Sequence, residues 1–264
     1  MSLIAIGSPK AEAAESPLQS LRDFIGTKKA IIYNDQASAE AVLSNNKKQE
    51  ENAQLGKKKE EKKRVPKAIT NPKEIDEAAK FASEKTGVRK DFLMGMLTVE
   101  SDLGRNTGKC TYGDVTRGAQ EAHANGRLGA TAWKTFQKRQ QTIEKLATNL
   151  GYDSEQLKVS CNPGNYAGTG GALGVSQFMP DIWMAYKDEV GAIVGKENPD
   201  PWNAKDGVVA MALLLADTPG VTAHNYYAER NSAKMYLSGT ISSAYDWYAN
   251  QAFYWSKNYA KLLS

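Results

Sequence analysis

Helical periodicity punctuated by glycine constrains this chain more than any other feature. Apolar residues recur at three- and four-residue spacing, and alternation of period two is nowhere sustained. Asn71-Pro72-Lys73-Glu74 has the make-up of a helix start: a capping side chain, a proline at the first helical position and a glutamate three residues after the cap. Ile75, Ala78, Ala79 and Ala82 then keep helical spacing up to Gly87. The same pattern predicts a helix over about Arg89 to Leu103 that closes on Gly104, and a longer one through Trp133, Phe136, Ile143, Leu146 and Leu150 to Gly151. Further helices are expected over Pro180 to Val194, Asn203 to Asp217, Thr222 to Leu237 and Ile241 to Leu263. The glycines at 87, 104 and 151 sit where the left-handed residue after a helix is favoured. The expectation is a mainly α domain over residues 67–264, without a solenoid-type repeat.

With 264 residues, 41% of them hydrophobic, the chain can bury a substantial core. Its longest nearly unbroken apolar run, Gly207 to Ala216, is far shorter than the roughly 18 residues that cross a bilayer. No transmembrane segment is expected. Two Cys, and two His (His123 and His224) far apart in the sequence, offer no paired-ligand spacing, so neither metal nor cofactor is expected.

The net charge of +4 is local. Lys47 to Arg64 carries eight basic residues against four acidic ones, which accounts for all of it. This stretch has no aromatic residue and one large apolar residue, Leu55, a poor basis for a nucleic-acid platform. Residues 17–66 therefore read as a charged stem or linker, helical or disordered, with contact to an anionic wall polymer, a lipid surface or a protein as the functional alternative. Residues 1–16 hold a short apolar stub, Leu3 to Ile6, and a small-x-small site at Ala11-Glu12-Ala13, but lack a basic start and a full apolar core. They read as a truncated export signal.

Glu100 is the residue that points to chemistry. Leu93, Met96, Leu97 and Leu103 form one stripe of the second helix, and Glu100 falls on it. Burial of a carboxylate there, at the negative end of the helix dipole, raises its pKa. A carboxyl that stays protonated near neutral pH is the general acid that glycosidic cleavage needs. The alternative is a glutamate at the edge of the stripe, paired with Lys or Arg. Asp102 faces elsewhere, and a second acid such as Asp114, Asp181 or Asp206 would have to arrive through the fold.

The block from Gly168 to Pro180 is rich in glycine. A dinucleotide fingerprint would need glycine where Leu173 stands, and a nucleophile elbow would need it at Phe178. What remains is a loop whose backbone can approach a ligand, leading into a helix at Pro180. Between Tyr226 and Tyr259 lie seven Tyr, two Trp and one Phe. Some of these serve helix packing, and the others suit a groove that stacks sugar rings.

Three blocks in order carry a family resemblance. Val88 to Gly108, with Thr98-Val99-Glu100-Ser101-Asp102-Leu103-Gly104, and Gly171-Ala172-Leu173-Gly174-Val175-Ser176-Gln177-Phe178-Met179-Pro180 resemble the catalytic domain of peptidoglycan lytic transglycosylases. The similarity is greatest to the B-type (family 3) enzymes of the lysozyme-like superfamily. Asp200-Pro201-Trp202-Asn203 to Asp206 resembles that family's next stretch, and Ala244-Tyr245-Asp246 is similar to its Ala-Tyr-Asn element. The resemblance implies a lysozyme-like, goose-type helical fold. Glu100 would be the single catalytic acid and base, and Ser101 a hydroxyl that helps hold substrate. Gln177, with Gly174 and Phe178 of its loop, would lie near the saccharide, and Tyr245 close to the catalytic carboxyl. Asp246 departs from the family's usual Asn.

The resemblance further implies peptidoglycan glycan strands as substrate, cleaved without water to a 1,6-anhydro product, and a place in the bacterial cell envelope. The segment between Cys110 and Cys161 is not explained by the family's motifs. In an exported protein a bond between them would close a loop of about 50 residues, stabilising by roughly 4 kcal/mol, with two free thiols as the alternative. A lysozyme-type hydrolase on the same fold and a non-catalytic peptidoglycan-binding scaffold are the competing functional readings.

Overall fold

A computed structural model describes residues 64–69, 71–162 and 170–263. The export signal read into residues 1–16, the stem and charged linker up to Lys63, and Gly168 and Thr169 of the glycine-rich block lie outside the described residues.

Local signals set three helices where the sequence places them. Helix α1, Pro72–Thr86, opens with the Asn71 side chain accepting from the Lys73 amide at 3.0 Å and closes on Gly87 at φ 78°. Helix α2 is Lys90–Ser101. Two further helices, α3 (Tyr112–Ala124) and α4 (Ala130–Leu150), fill the segment between the cysteines. Helix α5 is Pro180–Val194, and α6, Ala204–Ala216, starts where Asn203 accepts from the amides of Lys205 and Asp206. Helices α7 (Tyr226–Ser238) and α8 (Asp246–Ser256) complete the longer helices of the described residues.

Other boundaries move for identifiable reasons. Helix α2 stops at Ser101, because Asp102, Leu103 and Gly104 all take left-handed backbone at φ 50°, 53° and 85°. The Leu103 amide then reaches back to Leu97 O at 3.2 Å. Helix α7 begins at Tyr226 and not Thr222, because the Asn225 side chain takes the capping position, accepting from the Tyr227 and Ala228 amides. The single helix expected over Ile241 to Leu263 is three pieces: a 3-10 turn Ser243–Tyr245, α8, and a 3-10 turn Tyr259–Leu262. Ser242 caps the first turn, and the Asn258 side chain donates to Tyr254 O at the end of α8.

Helix α2 runs through the centre. Phe92, Leu93, Met94, Met96 and Leu97 are fully buried, each such side chain contributing roughly 1.5–3 kcal/mol of burial. It packs on α8, while α1 and α5 pack on α6, and α7 packs on α8. Gly95 makes the first of these contacts possible: a Cβ there would lie 2.1 Å from Ala252 O and 2.8 Å from Ser256 N. The two backbones meet at a distance no other residue would tolerate. The start of α2 is tied to α7 by Arg89, whose guanidinium donates to both oxygens of the buried Glu229 at 2.8 and 2.7 Å.

The segment between the cysteines is a covalently closed excursion. Cys110 and Cys161 form a disulfide with Cα atoms 5.0 Å apart, beside a two-residue antiparallel ladder in which Cys110 faces Val159. Helix α3, absent from the sequence expectation, is fixed by a reciprocal cap: Asp114 accepts from the Thr111 amide at 2.8 Å, and Thr111 Oγ1 accepts from the Asp114 amide at 3.2 Å. The excursion is tied to the rest by Trp202 Nε1 donating to Lys158 O, by Tyr152 donating to Asp200, and by Arg139 paired with Asp181. Arg64, the last basic residue of the charged stretch, is also part of the fold. Its backbone pairs with Gly151 and Asp153, and its guanidinium donates to Leu150 O at 3.3 Å.

Candidate active site

Glu100 stands in the last turn of α2, where the close α2–α8 contact brings Tyr248 against it. The Tyr248 hydroxyl donates to Glu100 Oε1. Glu100 is partly buried, and its removal from water pushes the carboxyl up to about 7, with the Tyr248 hydrogen bond pulling the other way. No Lys or Arg among the described residues pairs with it. The three acids that might have joined it are engaged elsewhere: Asp114 with Thr111 and Arg117, Asp181 with Arg139, and Asp206 with Lys196 at 2.9 and 2.8 Å. Asp102 pairs with Arg105 at 2.7 Å. Among the described residues the site therefore holds one carboxyl.

A second phenol closes the arrangement. Burial first, and the Glu100 charge second, push the Tyr236 hydroxyl well above its ordinary value, and the same two causes act in that order on Tyr248. Both phenols therefore stay neutral donors across the physiological range. Tyr236, on α7, donates to Ser176 O and packs its ring 5.6 Å from Phe178. It thereby links the 174–178 loop to the neighbourhood of Glu100.

That loop is a tight reversal. Leu173 and Phe178 pair as a bridge, with the Leu173 amide donating to Phe178 O at 2.8 Å. Gly174 has φ 55°, and a Cβ there would lie 1.9 Å from Pro201 O. Gln177 takes φ 50° without being glycine, a conformation that persists only when its surroundings impose it. Its amide nitrogen donates to Thr107 O at 3.1 Å and to Gly174 O at 2.7 Å. Gln177 is thus half-buried and fixed between Thr107, in the segment after α2, and its own loop, with its carbonyl oxygen outside these bonds.

The structure gives several of the expected site residues contacts within the fold. Ser101 is buried, its hydroxyl donating to Leu97 O and accepting from the Gly104 amide, so it shapes the turn after Glu100. Phe178 is core, packed on Tyr186 and Tyr236. Gly174 is required by the close approach of Pro201, a packing reason. The hydroxyl on Glu100 belongs to Tyr248, one helical turn after Tyr245. Tyr245 ends a 3-10 turn that its backbone closes on Ser242 O. Asp246, where the family pattern has Asn, accepts from Lys234 at 2.9 Å and lies 3.4 Å from Arg230, tying the start of α8 to α7.

Tyr236 and Tyr248 were not singled out from the sequence. Gly95 and the small residues Ala249, Ala252 and Ser256, recurring on one face of α8, were the available signal, because such a face marks where two helices meet closely. Among the described residues no group of His, Cys, Asp and Glu is gathered that could hold a metal ion, and no helix is long and apolar enough to cross a membrane.

The family model for the transglycosylase SLT domain matches residues 10–238. The chain belongs to the transglycosylase SLT family. As a member it is a peptidoglycan lytic transglycosylase. The match starts within the stretch read as an export signal, spans all of the stretch read as a stem, and ends before Tyr245 and Tyr248, so α8 and its site tyrosine lie beyond it. Among solved structures, the SLT chain resembles the Escherichia coli lytic transglycosylase Slt35 in complex with bulgecin A. The identity is 15%, over 74% of this chain and 76% of that one, with a TM-score of 0.48. Among curated proteins, no sequence matches it.

Proposed function

We propose that Glu100 is the single general acid and base with which this SLT transglycosylase cleaves the β-1,4 bond between N-acetylmuramic acid and N-acetylglucosamine. One observation carries the reading: a lone carboxyl that burial holds near pKa 7, with a neutral phenol as its hydrogen-bond partner. Below pH 7 most of the carboxyl is protonated and donates to the glycosidic oxygen as the C1–O bond breaks. The resulting carboxylate takes the proton of the muramyl 6-hydroxyl, whose oxygen bonds to C1. The proton count closes, Glu100 is restored, and the product is a 1,6-anhydro sugar. Positive charge at C1 is borne by the substrate's own acetamido group, which places the reaction outside the two-carboxylate scheme. The absence of an acid beside Glu100 among the described residues accords with that route. Tyr248 orients the carboxyl, and Gln177, rigidly held with a free carbonyl oxygen, is the loop side chain we assign to the sugar.

The order of the three sequence blocks supports the B-type assignment. Export to the cell envelope accords with the Cys110–Cys161 disulfide, a bond that persists in oxidising compartments. The test is mass spectrometry of muropeptides released from purified peptidoglycan. Anhydro ends are expected from the unaltered protein and no release from Glu100→Gln, which stays folded. Reducing ends one water heavier identify a hydrolase instead, and turnover by Glu100→Gln removes Glu100 from the mechanism.

A further inference from the structure

The two segments joined by the Cys110–Cys161 disulfide hold the loop of Gln177 from its two ends. On one side, Gln177 Nε2 donates to Thr107 O at 3.1 Å, three residues before Cys110. On the other, the residues flanking Cys161 hold the backbone of residues 170–172. The Gly171 amide donates to Ser160 O at 2.9 Å, the Ser160 amide to Ala172 O at 3.1 Å, and the Ala172 amide to Ser160 Oγ at 3.0 Å. Asn162 Oδ1 accepts from the Gly170 amide at 3.0 Å. Val159 pairs with Leu173 as a bridge, and Leu173 pairs with Phe178, next to Gln177.

These contacts form a closed circuit that runs from Gln177 to Thr107, across the disulfide to Ser160, and back through Ala172 and the Leu173–Phe178 pair. Gly108 lets the two segments touch backbone to backbone, since a Cβ there would lie 2.0 Å from Val159 O. Besides the disulfide they are joined by a ladder of two residues, Cys110 with Val159 and Thr111 with Lys158. A two-stranded pairing that short is marginal in water by itself. Cys161 is exposed, so water competes for the ladder at this edge. The covalent bond is the part of the circuit that does not fray. Gln177 needs such a frame, because its left-handed backbone persists only where the surroundings impose it.

We propose that the Cys110–Cys161 disulfide and Ser160 are positioning residues for Gln177, so that opening the bond weakens glycan binding and leaves the proton chemistry at Glu100 in place. The inference rests on the assignment of Gln177 to the sugar. Glu100 is held from elsewhere, by its place in α2 and by Tyr248 of α8, neither of which belongs to the circuit. The exposed Cys161 makes the bond accessible to a dithiol reductant. Two electrons and two protons convert the disulfide to two thiols, while the dithiol closes to a disulfide of its own. Glycan affinity thereby follows the thiol state of the surroundings.

The test is steady-state cleavage of soluble peptidoglycan fragments by the full chain: oxidised, reduced with dithiothreitol, and with Cys110→Ser and Cys161→Ser together. Opening the bond is expected to raise KM roughly three- to tenfold, the scale of one hydrogen bond. The kcat and its pH profile should change little, because binding shared by ground and transition states moves KM alone. Reoxidation should restore KM. Ser160→Ala, which keeps the disulfide and removes the acceptor of the Ala172 amide, should raise KM in the same way. In a Gln177→Ala background neither change should raise KM further, a result that general loosening of the fold would not give. Circular dichroism and melting temperature report folding at the assay temperature. Unchanged KM in the folded, reduced protein overturns the inference, as does an equal rise in the Gln177→Ala background. Where the double serine variant fails to fold, Ser160→Ala decides by the same two criteria. If Gln177→Ala alone leaves KM unaltered, the sugar assignment fails, and amide hydrogen exchange decides the positioning role. Opening the bond must then speed exchange at Gly171, Ala172 and Leu173 more than along α8, and the absence of that difference overturns it.

Discussion

Replacing Glu100 by Gln should change how stability depends on pH, and the structure sets the size and sign. The folded carboxyl titrates at about 7, against an ordinary value of 4.5. Below pH 4.5 the group is neutral whether the chain is folded or not. Between 4.5 and 7 the unfolded chain releases the proton and the folded chain keeps it, so the stability associated with the neutral group is lost as pH rises. Above 7 both states are ionised, and the folded state carries the full penalty of a charge drawn out of water. The difference corresponds to about 3 kcal/mol. Glutamine removes the titration while its carbonyl oxygen can still accept from Tyr248. Urea unfolding of both proteins from pH 4 to pH 8.5 should therefore show the unaltered chain losing about 3 kcal/mol relative to Glu100→Gln across that window. Parallel curves, or a difference that grows toward acid, would refute the account of a neutral buried carboxyl.

Tyr248→Phe removes the hydrogen bond that favours the carboxylate, so the Glu100 pKa should rise further and the alkaline limb of the muralytic rate should move upward, as a pH–rate profile will show. Gly95→Ala drives a methyl into Ala252 O and should destabilise by about 1–3 kcal/mol, seen as a lower melting temperature. Reduction of Cys110–Cys161, or Cys110→Ser with Cys161→Ser, should lower stability by about 4 kcal/mol, as the span of 51 residues implies in the chain-entropy model, measured by unfolding with and without reductant.

What the sequence disclosed was what local chemistry decides. Asn71-Pro72, Pro180 and Asn203 fix helix starts with their own side chains, so α1, α5 and α6 were legible to within a residue. Glu100 was legible because a carboxylate on an apolar stripe conflicts with its surroundings wherever the stripe is buried. Helix α3 was not: Gly113 and Gly118 weaken its propensity and its buried face is mostly small, leaving the Thr111–Asp114 cap as its single local mark. Tyr248 meets Glu100 across 148 residues of chain, and no periodicity reports such a meeting. The same limit hid the packing of Phe178 and Ser101. A residue type suited to sugar contact is equally suited to core or cap, and only packing separates them.

The excursion from Cys110 to Cys161 has a consequence for chain architecture. Its ends are 5.0 Å apart, so a short turn could rejoin the chain with the excursion cut out. Yet Tyr112, Val115, Leu157 and Val159 belong to the same core as α2 and α6, and Lys158 O is the acceptor for buried Trp202. Excision would open the main core and strand the indole N–H of Trp202. The segment is topologically a cassette and energetically a wall, one that can be redecorated on its outer helices but not removed.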